Sequence, residues 1–351
     1  MNLNRQRIWE TEFPSSSSNW GVYFPIIGRY QNGEAFVRKQ VKQSNLLNPV
    51  LVATPETKNQ YLPPSLIPGK MGEQACNKIK TDRHEIMVIA LVFLFLITFV
   101  LWFVANPTLA LGWFSFNLVF CLYFHFDNKT MFNNPEVLKE RAMFYGWLYL
   151  RGNNYLVAAI FLFFTVGLLQ LGLIKAMGSN DLVLERFGLH YIRVTEDGQW
   201  WRLVSGLFLH AKFVHWLSNM MIAAGLFMMC GPFLKTRGLI SVFLGCAFGS
   251  FATVYSAHLL SLLDSDGLIG LSGGLGGVLG WFAVSNFRCR EVYPQHFYLT
   301  SLYFALITLI VLPLFISFTT FLCHGSGMVL GGLAALFVDK ETFIKQFLVS
   351  R

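Results

Sequence analysis

From Ile86 to Phe126 the chain runs without a single Lys, Arg, Asp or Glu. About 20 apolar residues cross a bilayer. The stretch therefore holds either two short crossings joined by a tight turn or one crossing plus a re-entrant piece, broken most clearly at Asn106-Pro107. Six more apolar stretches of helical length come after it, at about 155–176, 203–230, 238–260, 269–286, 297–318 and 322–338. With 54% hydrophobic residues, 13% charged ones and a mean hydropathy of +0.50, the 351 residues are too apolar for an ordinary soluble protein. The expected fold class is all-α, a polytopic membrane protein with a six-helix core preceded by one or two extra transmembrane helices.

The formal charge of +8 does not point to nucleic acid, because the basic residues are scattered between apolar stretches rather than gathered in one stripe with aromatics. Membrane topology accounts for them. Lys235 and Arg237, Arg288 and Arg290, then Lys340 and Lys345 fall on alternate connections or the tail, and Lys129, Lys139, Arg141 and Arg151 precede the first core helix. The positive-inside rule puts all of these in the cytoplasm. The opposite loops carry Asp181, Glu185, Glu196 and Asp197 against Arg186 and Arg193, then Asp264 and Asp266. Lys78, Lys80 and Arg83 precede the first apolar segment, so an even number of crossings in 86–126 is consistent and eight helices are expected.

The expected organisation is a soluble cytoplasmic extension at 1–84, a transmembrane hairpin at 85–126 and a polar cytoplasmic insert at 127–154. The six-helix core spans 155–338, and a short cytoplasmic tail covers 339–351. The extension holds seven of the twelve prolines and a run from Ser15 to Ser18, and is expected to be loosely ordered. Its Pro63-Pro64-Ser-Leu-Ile-Pro68 segment reads as a linker. No cleaved targeting segment is evident at the start, which lacks an apolar run and carries Glu10 and Glu12. The six cysteines show neither CxxC pairs nor a compact framework, so free buried thiols are expected rather than disulfides or zinc. No cofactor and no metal is implied. Asn128, in Asn128-Lys-Thr130, is expected to stay unglycosylated because the loop charges place it on the cytoplasmic side.

Two polar residues stand out within the core. Ser272 sits in Gly270-Leu-Ser272-Gly273, and His324 comes 52 residues later, ahead of Gly327 and Gly331. The loop charges start both helices on the same side, so the two residues share a depth. A serine hydroxyl needs a neighbouring base to become a nucleophile, and His324 is the candidate. Gly273, Gly274, Gly276, Gly277 and Gly280 strip one helix of side chains, as Gly327, Gly331 and Gly332 strip the other, and such faces let membrane helices approach closely. If the second core helix enters the membrane just after Lys212, His215 and Asn219 lie in its first two turns at i, i+4 on one face, with His210 nearer the surface. An imidazole, a side-chain amide and the Ser272 backbone N–H are suitable donors to the oxyanion of acyl transfer. No acidic residue lies within the three helices that carry these groups, which favours a Ser-His dyad over a triad. His84-Glu85 is followed by Val88 where a zinc protease needs its second histidine. His258 and His125 read as interfacial, and His190 and His296 take no role.

Taken together the chain resembles the rhomboid family of intramembrane serine proteases over roughly residues 155 to 338. The likeness rests on Trp201-Arg202, His210 with His215-Trp-Leu-Ser-Asn219, Gly270-Leu-Ser272-Gly273 and His324-xx-Gly327-xxx-Gly331, in the family's order. It implies Ser272 as nucleophile, His324 as general base and then acid, and His215 with Asn219 as oxyanion stabilisers. Trp201 and Arg202 correspond to the family's structural pair. The implied partners are the lipid bilayer and the transmembrane segments of other proteins as substrates. The alternative is a catalytically inactive rhomboid-like protein that binds membrane proteins and controls their trafficking or degradation. Inactive relatives usually lose the serine or the histidine, and this chain keeps both. Cys323 stands where an alanine is common, Gly276 where several members carry an aromatic that stacks on the base, and Cys230-Gly231-Pro232 where a glutamate is found. The extra membrane segment is similar to the mitochondrial branch, but the acidic, proline-bearing start favours the secretory pathway or plasma membrane over the mitochondrial inner membrane.

Overall fold

In the computed structural model, residues 5–46, 50–104, 107–263, 265–308 and 317–350 are described. The chain opens with β1 (Arg5–Arg7), β2 (Gly21–Phe24), β3 (Arg29–Asn32), α1 (Glu34–Lys42) and β4 (Leu51–Ala53), followed by three long helices: α2 (Lys70–Val104), α3 (Pro107–Asn133) and α4 (Pro135–Met177). Short elements come next, α5 (Asn180–Phe187), β5 (Leu189–His190), α6 (Tyr191–Thr195) and α7 (Arg202–Ser205). The remainder is α8 (Phe213–Leu259), β6 (Gly267–Leu268), α9 (Ser272–Arg288), α10 (Tyr298–Leu306), α11 (Phe318–Phe337), α12 (Lys340–Phe347) and β7 (Leu348–Ser350). The chain packs as two units: Met1–Asn153 with Asn286–Tyr303 and Asp339–Arg351, and Asn154–Ser285 with Phe304–Val338.

The first unit corrects the expectation of a loosely ordered extension. β2 pairs antiparallel with both β3 and β4, and Val37 and Val41, one turn apart on α1, pack with Val22, Val50, Val52, Ile67 and Ala75 into a small core. Each apolar cluster here is only a few residues long, so the core exists only once strands and helix are assembled. Downstream, α2 and α3 form an antiparallel pair. Asn117 Nδ2 donates to Thr98 Oγ1 (3.1 Å), and Asp127 takes Arg83 at 2.7 Å and Arg141 at 3.1 Å. Ile89, Phe93, Phe95, Phe99 and Phe103 of α2 face outward, as lipid contact requires. The sequence break at Asn106 lies outside the described residues. The polar insert 127–154 forms the end of α3 and the first turns of α4, with Asp127 and Arg141 buried in the ion cluster. In the same unit Trp9 Nε1 donates to the Val292 carbonyl (2.7 Å), and β1 pairs antiparallel with β7.

The second unit is helical. Of the described helices, α2, α4, α8 and α11 are long and apolar enough to cross a membrane by length and composition. The 47 residues of α8 would extend about 70 Å as one rod, more than twice a hydrocarbon core. They do not form one rod, because Pro232 lacks an N–H and Lys235 leaves helical geometry at φ 56°, ψ 170°. The result is two consecutive helices where the sequence places its second and third core stretches. The first begins at Phe213, directly after Lys212 as expected, and the lead-in from 203 is instead the short α7 and a single 3-10 turn. Residues 309–316 of the fifth expected core stretch lie outside the described residues.

Candidate functional site

Glycine sets the geometry of the site. A methyl group on Gly327 would lie 2.0 Å from the Gly273 carbonyl oxygen, and one on Gly331 would lie 1.8 Å from that of Gly277. On the neighbouring rows, a Cβ on Gly276 would lie 2.6 Å from the His324 carbonyl and one on Gly280 1.9 Å from that of Met328. Both contact series rise together along the two helices, so α9 and α11 run parallel in backbone contact. That register sets Ser272 level with the turn of α11 that carries His324. Ser272 is the first residue of α9, where backbone N–H groups lack intrahelical partners. His324 is the seventh residue of α11, not its opening residue as the sequence stretch implies, because the helix starts at Phe318.

The approach to Ser272 is held by the second unit's irregular segments. β5 and β6 pair through Leu189 with Leu268 and His190 with Gly267, and the Gly270 N–H donates to the Gly206 carbonyl (2.9 Å). Gly270 has φ +108°, a conformation that suits glycine, and a Cβ there would sit 3.2 Å from His215 Cε1. The His215 ring is thus set beside the turn that leads into Ser272. Arg202 anchors this region. Its guanidinium donates to the Glu185 and Gly188 carbonyls (2.9 and 2.7 Å) and to Gln199 Oε1 (2.6 Å), and lies 4.8 Å from the centre of the Trp201 ring.

His215 and Asn219 occupy the first two turns of α8, as the sequence predicts. The His215 ring lies 5.2 Å from that of His210, edge to face. His210 precedes the helix and is only 2% exposed. Asn219 is 4% exposed, and its Nδ2 has no hydrogen-bond partner among the described residues; nor has Nε2 of His324. Buried donors and acceptors in folded proteins are almost always bonded. A buried amide donor and a buried imidazole nitrogen left open in one region have the chemistry to meet a polarised carbonyl and to move a proton.

Three residues of this region escape the sequence reading. Gln170 on α4 receives the His210 N–H (3.0 Å), donates to the His210 carbonyl (2.7 Å) and reaches Asn180 Oδ1 (2.8 Å), fixing the segment before α8. Asn180 donates in turn to the Ala211 carbonyl (2.9 Å). The available signal is a lone amide within the apolar stretch 155–176. Ser250, fully buried on α8, lies 3.6 Å from the Cys323 thiol. Of the remaining histidines, His258 packs on the Tyr191 ring at 4.5 Å and His190 Nε2 lies 3.3 Å from the Leu184 carbonyl.

Residues 197–341 match the family model described as Rhomboid domain. The matched region starts four residues before Trp201 and extends past α11, so it contains Ser272, His324, His215, Asn219, His210 and Arg202. No curated protein and no solved structure matches the chain.

Proposed function

The chain is a multi-pass membrane protein that carries a rhomboid domain over residues 197–341, and from that premise we propose that it is an intramembrane serine endopeptidase. Its substrates are transmembrane segments of other membrane proteins, cut after local unwinding. A spanning helix keeps its carbonyls bonded internally, so unwinding must precede attack. The observation that carries this reading is the parallel glycine contact of α9 and α11, which sets Ser272 level with His324.

His324 takes the Ser272 hydroxyl proton as Oγ adds to the scissile carbonyl. The oxyanion accepts hydrogen bonds from the Ser272 N–H, Asn219 Nδ2 and the His215 ring. The first of these donors stands at the open start of α9, and the second has no partner among the described residues. The protonated His324 then gives its proton to the departing amine, leaving an ester on Ser272. Water, deprotonated by His324, attacks that ester, and the protonated His324 returns the proton to Ser272 Oγ as the acid leaves, which restores both residues. His210 and Arg202 are positioning residues in this scheme, one beside His215 and the other in the loop between α4 and α8. The parts of the chain lie in the bilayer as the loop charges assign them, with Ser272 and His324 near the luminal or external face.

The test is a fluorophosphonate serine probe applied to membranes, paired with cleavage of a co-expressed transmembrane substrate. Wild type is expected to take up label and to cleave, and Ser272→Ala to do neither. Equal cleavage by Ser272→Ala would end the protease reading and leave a rhomboid-like binding protein that steers membrane clients.

A further inference from the structure

The β2–β3 hairpin carries an unusual tip. Soluble hairpins turn on Gly, Asn and Asp; in Pro25-Ile26-Ile27-Gly28 the glycine takes the left-handed position at φ +63°, but the outermost residues are Ile26 and Ile27, 42% and 62% exposed. The turn is well defined, since the N–H groups of Ile27 and Gly28 both donate to the Phe24 carbonyl (3.2 and 2.9 Å). Tyr30 comes next but one, also exposed, with its ring stacked 4.4 Å from that of Tyr23. Arg29 stands exposed between turn and tyrosine.

The tip is bonded to α4. Asn153 Nδ2 donates to the Ile26 carbonyl (3.2 Å), and two residues earlier Arg151 pairs with Glu12 (2.9 Å). From 152 to 174 the sequence of α4 has no charged residue, and Lys175 ends the run. Those 23 residues extend about 35 Å, close to the hydrocarbon thickness of a bilayer. Arg151 and Lys175 therefore bracket the span, and Asn153 sits where α4 enters the lipid. We propose that the Ile26-Ile27 turn inserts into the headgroup layer of the bilayer that α4 crosses, making the N-terminal β-module a membrane-surface element rather than a domain suspended in the cytosol. The tyrosines occupy the amphipathic level that aromatic residues favour at membrane interfaces. Arg29 meets lipid phosphate there, an attraction that anionic lipid strengthens.

The proposal is tested on the full chain reconstituted in phosphatidylcholine vesicles, with and without phosphatidylserine, carrying a nitroxide at Ile27→Cys or Ile26→Cys. A nitroxide at Lys39→Cys, exposed on α1, serves as the aqueous reference, and signal from the unsubstituted chain is subtracted. Both turn positions are expected to collide more with oxygen than with a water-soluble nickel chelate, and Lys39→Cys to show the reverse. Turn nitroxides as open to the nickel chelate as Lys39→Cys would overturn the proposal. So would turn nitroxides shielded from both reagents, which would mean that protein covers the tip. Because the readout is depth and not cleavage, it stands or falls independently of the catalytic assignment.

Discussion

Gly327 shows how little tolerance the site has at the level of one atom group. An added methyl would meet the Gly273 carbonyl at 2.0 Å, and neither backbone can yield without parting α9 from α11. Gly327→Ala is expected to destabilise the fold by about 1–3 kcal/mol and to lower cleavage by about 100-fold, since displacements of about an ångström at reacting groups have that effect. Gly325→Ala, whose nearest neighbour atom would be 3.9 Å away, is expected to leave thermal unfolding in detergent and substrate cleavage near wild type. Similar losses in both would refute the register argument. The sequence shows these glycines as a close-packing pattern but not their pairing, which depends on two helices meeting. Gly276 is legible there as part of that pattern and as a departure from the family's aromatic. The structure supplies the reason, because a Cβ at Gly276 would already sit 2.6 Å from the His324 carbonyl, so backbone occupies the space a ring would fill. The place of His324 within its helix is hidden in the sequence because Phe318 to Cys323 is as apolar as the turns beyond His324.

Among the elements, the loop between α4 and α8 depends on one side chain. Arg202 is 5% exposed and satisfies the carbonyls of Glu185 and Gly188, which close the end of α5 and lead into β5. Arg202→Ala strands both carbonyls, at about 1–3 kcal/mol for each buried group left without a donor. Thermal unfolding is expected to fall accordingly. Arg193→Ala, which removes an exposed ion pair with Asp197, is expected to change stability by less than about 1 kcal/mol. Equal effects of the two would mean that Arg202 is not the anchor. Trp201-Arg202 stands out in the sequence only through its place in the family's order, and no spacing rule names its carbonyl partners. Gln170 shows there only as a lone amide in an apolar stretch, because its role lies in the backbone of His210, 40 residues away. Helix starts and stops are legible where chemistry marks them, as at Lys212 and at Pro232 with Lys235.

At the scale of the molecule, the polytopic all-α class is legible because apolar length alone decides it, whereas the β-module at the start is not. The sidedness of the membrane helices is testable by glycosylation, and burial decides which residues can report it. Asn128 is expected to escape glycosylation by lying in the cytoplasm. It is also 5% exposed within α3, and its Oδ1 accepts from Arg83 Nε at 2.7 Å. An unglycosylated Asn128 therefore does not discriminate between orientations. A better reporter is Arg193→Asn, which completes an acceptor triplet with Val194 and Thr195 on the exposed side of α6. Leu234→Asn does the same with Lys235 and Thr236 at the break in α8. If the loop charges set orientation, expression in a glycosylating host should add a glycan to the Arg193→Asn chain, seen as an endoglycosidase-sensitive mass increase, and none to the Leu234→Asn chain. The opposite pattern would invert the protein and move Ser272 and His324 to the cytoplasmic face, with their place in the helices unchanged.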